Sequence, residues 1–282
     1  MEIPLPHLNQ SAQCLNVKRA YREVALIASV KHPNIISFIS AFTPQENLHD
    51  FKEIYLIMEL MTAPLSRLQL PQMDILTHRT LSYLVYQMLC AVNHMHRMGI
   101  IHRDLKSSNI VVDSRCHLKV LDFGLARLTA NDNALSMTGY VVTRCTLTSH
   151  PRDLLDQWSK IIEARGTPDV TFIQSLRPST VRYISSLLSK SKLPMEEVLK
   201  EDRFIPNSGE PETQQNSAAA RDLVDKMLAY EQNVRISVEE TLSHPYVRNW
   251  RKPEATNAPL TTDTRYDQNV DLQDRTLNEW KG

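Results

Sequence analysis

The sequence predicts an α+β chain, with a small strand-containing piece at the front and a mainly helical body behind it. Three observations carry this. Apolar residues recur at three- and four-residue steps between Asn16 and Val30, and again over a longer stretch between Thr77 and Met98. Two runs rich in β-branched and aromatic residues, IISFISAF (35–42) and EIYLIMEL (53–60), lie between those helices. From about Asp153 onward the pattern is helical and strand-like runs cease.

Each element has a local cause. In the first helix Val17, Tyr21, Val24, Ile27 and Ala28 form one apolar stripe, and Pro33 bars its continuation. TPQENLHD (43–50) reads as the loop of a hairpin between the two strands. In the second helix Leu81, Leu84, Val85, Met88, Leu89, Val92 and Met95 face inward, and Gly99 lies just past the end. NIVVD and HLKVLD, separated by SRC, form a small hairpin. RDLLDQWSKIIEARG is a helix ending at Gly166, with Trp158 and its aliphatic neighbours as core. SAAARDLVDKMLAYE starts from a Ser217 cap, and Ser237 with Glu240 forms a capping box before TLSHP. Residues 206–216 and 251–265, rich in Pro, Asn and Thr, read as loop or extended tail.

Composition narrows the function. The 282 residues carry 32 Lys+Arg against 32 Asp+Glu, so no whole-chain field draws the protein to nucleic acid or an anionic membrane. Cys14, Cys90, Cys116 and Cys145 are far apart with no C-x-x-C, which argues against a disulfide scaffold or structural zinc. No run approaches the roughly 18 apolar residues of a membrane helix, and the first ten residues lack a secretion signal, so a soluble intracellular protein is expected. His94 and His96, two apart on a helix, point to different faces and read as core or surface residues, not as metal ligands. Only six glycines occur and none precedes Gly99, so no G-x-G-x-x-G or Walker cradle exists in these residues.

The informative stretch is IIHRDLKSSNI (100–110), followed by DFG at 122–124. Phosphoryl transfer asks for positioned charge and a group that orients the attacking hydroxyl. Asp104 can accept or orient a hydroxyl proton, and Lys106 can neutralise charge on the moving phosphoryl group. Asn109 and Asp122 offer oxygen ligands of the kind magnesium prefers. HRD and DFG together, with Lys106 and Asn109 at fixed offsets and a hairpin between, form one constellation.

That segment resembles the catalytic loop and metal-binding turn of eukaryotic protein kinases. NVKRAYREVALI, FTPQENLHDFKEIYLIMELM, LSYLVYQMLCAVNHMH and MTGYVVTR are similar to MAP kinases, most like the c-Jun N-terminal kinase, stress-activated subgroup. The later DQWSKIIEARGTP, ARDLVDKML, VRISVEETLSHPYV and LNEWK resemble the same subgroup. The resemblance implies a bilobal protein-kinase-like fold. Residues 1–61 would be a truncated N-lobe, 62–250 a mainly helical C-lobe shortened after Arg144, and 251–282 a C-terminal extension.

It also implies roles. Asp104, Lys106 and Asn109 would be catalytic, and Asn109 and Asp122 would hold Mg2+. Glu23 would be the helix glutamate that pairs with a phosphate-holding lysine. Met58 would be the gatekeeper, the backbone at Glu59 and Met61 would hold the adenine edge of ATP, and Val111 and Leu121 would floor its pocket. Thr138 and Tyr140 would be activating phosphorylation sites, in a Thr-Gly-Tyr lip that departs from the subgroup's Thr-Pro-Tyr. Arg19, Arg22 and Arg103 would converge on phospho-Thr138 and Arg144 would meet phospho-Tyr140, an arginine fork being suited to a phosphate of about two negative charges. Asp267, Asp271 and Asp274 resemble docking acids for protein substrates and upstream dual-specificity kinases. A monomer found in cytoplasm and nucleus is implied.

Two departures bear on activity. The glycine-rich loop and the strand carrying the phosphate-binding lysine are not found, and Lys18, five residues from Glu23 on one helix, cannot replace that lysine. After Arg144 the chain reads CTLTSHPRDLLDQW where the family has Ala-Pro-Glu and a central helix, so Arg235 lacks the glutamate the family gives it. An uncompensated buried charge costs on the order of 3–5 kcal/mol, so weakened folding is expected. Three alternatives stand: a Ser/Thr-Pro-directed kinase, a non-catalytic kinase-like docking protein, and a chain with no stable fold.

Overall fold

The computed structural model describes residues 2–4, 10–47, 53–67, 77–128, 154–176, 178–201, 216–231, 233–256, 258–260 and 266–267. Strand β1 (Glu2–Pro4) and helix α1 (Gln10–Ser29) open the chain. Strands β2 (Phe38–Phe42) and β3 (Glu53–Met58) follow. The three strands form an antiparallel sheet in the order β1-β3-β2, with Ile3 opposite Ile54 and Phe42 opposite Tyr55, whose rings stack at 5.1 Å. The sequence reading expected no strand ahead of the first helix. β1 is three residues long, contains a proline, and pairs with a partner some fifty residues away, so nothing local marks it.

Helix α2 (His78–Arg97) is the centre of the molecule. Thr77 caps it by accepting from the Thr80 N–H, and Leu84, Leu89, Val92 and Met95 are buried along it. Strands β6 (Ile110–Val112) and β7 (Leu118–Val120) form the expected hairpin, with Ile110 opposite Val120, and pack on α2. The short strand β4 (Ala63–Pro64) extends this hairpin into a three-stranded sheet, while β5 (Ile100–Ile101) pairs with β8 (Arg127–Leu128).

Among the described residues no strand occurs beyond β8. The helices there are α3 (Leu154–Arg165), α4 (Val170–Gln174), α5 (Pro178–Ser186), α6 (Met195–Val198), α7 (Ser217–Met227), α8 (Val238–Leu242) and α9 (Pro253–Thr256). The Ser237/Glu240 capping box is present. The cap of α7 is Asn216, not Ser217: Asn216 accepts from the Ala219 N–H, while the Ser217 hydroxyl donates to Glu201 and meets His78 at 3.1 Å. A polar side chain with tertiary partners is not available to cap. Gly166, at φ +77, ends α3 where a Cβ would stand 2.5 Å from the Lys192 nitrogen, which explains glycine there.

Together these elements are an α+β fold, with antiparallel sheets and mixed helices at the front and helices behind.

Candidate active site

The site is built where the turn after β5 meets the turn after β7. Hairpin register does the first part, because Ile110 opposite Val120 brings Asn109 beside Leu121, whose N–H donates to the Asn109 carbonyl at 2.9 Å. The Asn109 amide nitrogen then donates to the Asp104 carbonyl at 2.9 Å, to Asp104 Oδ2 at 2.9 Å and to Asp122 Oδ2 at 3.3 Å. Lys106 Nζ also reaches Asp104 Oδ2, at 2.8 Å. Four residues singled out in the sequence therefore share one hydrogen-bonded group. Asn109 is buried, while Asp104 and Lys106 open to solvent.

Two of the residues holding this group in place have unusual backbones. Arg103 and Asp122 lie in the left-handed region at φ 69° and 64°, a conformation that costs non-glycine residues energy and must be held by surroundings. At Asp122 the holding is visible. Its Oδ1 accepts from the Gly124 N–H at 3.1 Å, and His102 Nε2 bonds the Leu121 carbonyl at 2.8 Å. His102 Nδ1 accepts from the Asp104 N–H at 3.2 Å, which leaves Nε2 as the protonated donor. Burial holds His102 below its ordinary pKa. Phe123 is fully buried with its ring 5.3 Å from that of His102. His102 has no role in the sequence reading, although it sits inside the HRD motif; its buried, apolar flanks were the signal.

Helix α1 closes the other side. Arg22, 3% exposed, donates to the Gly124 carbonyl at 2.5 Å. Arg19 is exposed, and its Cβ lies 3.9 Å from where a Gly124 side chain would begin. Arg103 is exposed as well. Glu23, 8% exposed, has neither a hydrogen bond nor an ion pair among the described residues. Burial, and then the nearby Asp122 charge, push its carboxyl up to about 7. β1 offers Glu2, Ile3 and Pro4 and no cation.

The linker after β3 lies against β7. The Glu59 carboxylate accepts from the Ser37 N–H at 2.6 Å and from Lys119 Nζ at 2.7 Å, and its N–H donates to the Ser37 carbonyl at 3.1 Å. Although desolvation pulls upward, these donors hold Glu59 below the usual glutamate range. The carbonyl of Glu59 and the N–H of Met61 have no hydrogen-bond partner among the described residues, so one donor and one acceptor stand open along the linker. Val111 is buried, and Met58, Met61 and Leu121 are partly buried against the core.

Oxygen donors fit a hard divalent ion: Asp122 supplies a carboxylate, and the Asn109 amide oxygen has no partner among the described residues. Asp267 is placed on α1, its N–H donating to the Tyr21 hydroxyl at 3.0 Å. Thr138, Tyr140, Arg144, Asp271 and Asp274 lie outside the described residues, as does the Trp158 side chain. His94 is buried, and no cluster of three or more metal-binding side chains occurs among the described residues. No helix among them is long and apolar enough to cross a membrane.

An α+β chain with an Asp–Lys–Asn–Asp group and a linker that leaves one backbone donor and one acceptor open matches a protein kinase domain. Comparison with known proteins agrees: the family described as "Protein kinase domain" matches residues 6–148, half of the chain. The chain belongs to the protein kinase family, and within it to the MAP kinases, of the c-Jun N-terminal kinase type. GLH-binding kinase 1 of Caenorhabditis elegans is 42% identical over 302 residues, covering 95% of this chain and 76% of that protein. Stress-activated protein kinase JNK of Drosophila melanogaster is 40% identical over 297 residues, covering 94% of this chain and 78% of that protein.

Proposed function

We propose that the chain is a stress-activated serine/threonine kinase that moves the γ-phosphoryl group of ATP to Ser or Thr followed by Pro in protein substrates. The observation that carries this is the single hydrogen-bonded group of Asp104, Lys106, Asn109 and Asp122. The substrate hydroxyl oxygen bonds the γ-phosphorus as the bond to the β–γ bridging oxygen breaks, ADP leaves with that electron pair, and Asp104 accepts the hydroxyl proton. Lys106 offsets charge on the moving group. Asp122 and Asn109 would hold magnesium, which would neutralise charge on the phosphates. The open Glu59 carbonyl and Met61 N–H supply the edge for adenine, over Val111 and Leu121 and beside Met58.

Thr138 and Tyr140 are proposed activating sites, phosphorylated by upstream dual-specificity kinases and received by Arg19, Arg22, Arg103 and Arg144. Asp267, Asp271 and Asp274 are proposed docking acids for basic segments of partners, and cytoplasm and nucleus are the proposed location. A second reading, a non-catalytic docking protein, draws on Glu23, whose buried carboxyl has neither a hydrogen bond nor an ion pair among the described residues. Asp104→Asn decides between them. Radiolabel transfer from ATP to a Ser-Pro peptide should fall by about 10²–10⁴-fold. Incorporation that survives the substitution, or none from the wild type, leaves the docking reading.

A further inference from the structure

We propose that Arg22 is a positioning residue whose guanidinium, bonded to the Gly124 carbonyl, sets the turn that carries the Asp122 carboxylate. This rests on the kinase reading for its functional consequence and on geometry alone for its structural one. The sequence reading gave Arg22 to a phosphate with Arg19, because residues three apart share a helix face. The structure separates the two: Arg19 is exposed, and Arg22 is buried with a 2.5 Å bond to a backbone carbonyl 102 residues away.

Asp122 is bracketed. The carbonyl of the residue before it is held by His102 at 2.8 Å, and the carbonyl two residues after it by Arg22 at 2.5 Å. The two donors come from different elements, the loop after β5 and helix α1. Between them Phe123 is buried, and Asp122 itself holds a left-handed φ of 64° that an unrestrained aspartate would leave. Pinning the peptide plane before such a residue and the plane two residues beyond it limits where its carboxylate can stand. A guanidinium suits this use, since it cannot lose its charge and a charge-assisted bond is roughly twice as strong as a neutral one. A Cβ at Gly124 would crowd the Asp122 carboxylate, meeting Oδ1 at 3.3 Å. The consequence is that helix α1 and the metal-holding turn move as one unit.

The test uses the full chain with Arg22→Gln and Arg22→Lys. Hydrogen exchange of residues 121–126 should quicken about tenfold in Arg22→Gln, the loss of one charge-assisted bond, and by less in Arg22→Lys, which keeps a charged donor. Exchange in the middle of α2 should stay unchanged in both. Unchanged exchange at 121–126, or an equal rise in α2, overturns the proposal; Arg22→Lys carries the same comparison alone if Arg22→Gln does not fold. In calorimetry with ATP, the magnesium concentration for half-maximal binding should rise several-fold in Arg22→Gln, with metal-free ATP affinity unchanged. A wild type that binds no Mg-ATP sinks the kinase reading, and the exchange data then decide on Arg22 independently.

Discussion

The turn at 121–124 and the buried face of α2 around His94 meet the same demand in opposite ways. At the turn, each polar group taken out of water finds another: Asn109 with Asp104 and Asp122, His102 with the Leu121 carbonyl, Arg22 with the Gly124 carbonyl. On α2, both ring nitrogens of His94, Nδ1 of His96 and Oδ1 of Asn93 are buried and have no partner among the described residues. His94 is 1% exposed and packs against His32 at 4.8 Å between ring centroids. Glu23, beside the turn on α1, belongs with the second group. Partnered groups can be held in position and so can build a site. Unpartnered ones are kept neutral by desolvation, which makes them sources of pH dependence instead.

The largest effect should come from breaking the partnered region. Phe123→Ala removes a fully buried ring and should cost about 3–5 kcal/mol in urea unfolding. A cost below about 1 kcal/mol would mean that the turn is not part of the core.

The unpartnered region should show itself through pH. Burial lowers His94 and His96 from 6.5 to about 4. A histidine whose folded pKa lies below its unfolded value contributes stability that is complete above pH 6.5 and is lost as pH falls towards 4. Each should contribute about 3 kcal/mol over that window. His94→Phe should therefore remove its share of the acid loss while changing stability at pH 8 by about 1 kcal/mol or less. An acid limb of unchanged size in His94→Phe would show that the histidine is not the source.

Glu23 works with the opposite sign. Its folded pKa of about 7 lies above the ordinary 4.5, so its contribution is complete below pH 4.5 and is lost as pH rises through 7. Glu23→Gln should leave stability at pH 4 unchanged and raise it at pH 8 by about 3 kcal/mol. Because the windows of Glu23 and the two histidines overlap, their effects oppose one another between about pH 4.5 and 6.5 in the native chain. Two histidines outweigh one glutamate, so native stability should rise with pH there, and Glu23→Gln should make that rise steeper. A flatter profile in Glu23→Gln would mean that a cation pairs with the carboxylate.

The same contrast explains what was legible in the sequence. Asp104, Lys106 and Asn109 lie within six residues, and Asp122 follows a hairpin whose turn is short enough to read, so local spacing alone assembles the site. The helices came with their apolar stripes and caps. What escaped depended on tertiary position. β1 is a three-residue strand whose partner is remote. The inward turn of Arg22 follows from the burial of Glu23, Ala25 and Leu26 beside it, which spacing from Arg19 does not reveal. The cap of α7 passed to Asn216 because Ser217 had partners in other elements.

Arg235 offers the smallest effect and the finest test of the contrast. By family pattern it is a buried arginine stripped of its glutamate, and so should stand with Glu23 among the unpartnered groups. In the structure its Nε donates to the Ala229 carbonyl at 2.6 Å and its terminal nitrogen to the Tyr230 carbonyl at 3.1 Å. Burial, and then the neighbouring Arg165, lower its pKa, yet the guanidinium remains charged because its intrinsic value is so high. Two backbone carbonyls replace the missing carboxylate, so the expected folding penalty is reduced. Arg235→Lys keeps the charge but cannot span both carbonyls, and should cost about 1–2 kcal/mol in urea unfolding. A cost of about 3–5 kcal/mol, the range for breaking a buried ion pair, would show that a carboxylate holds Arg235 after all.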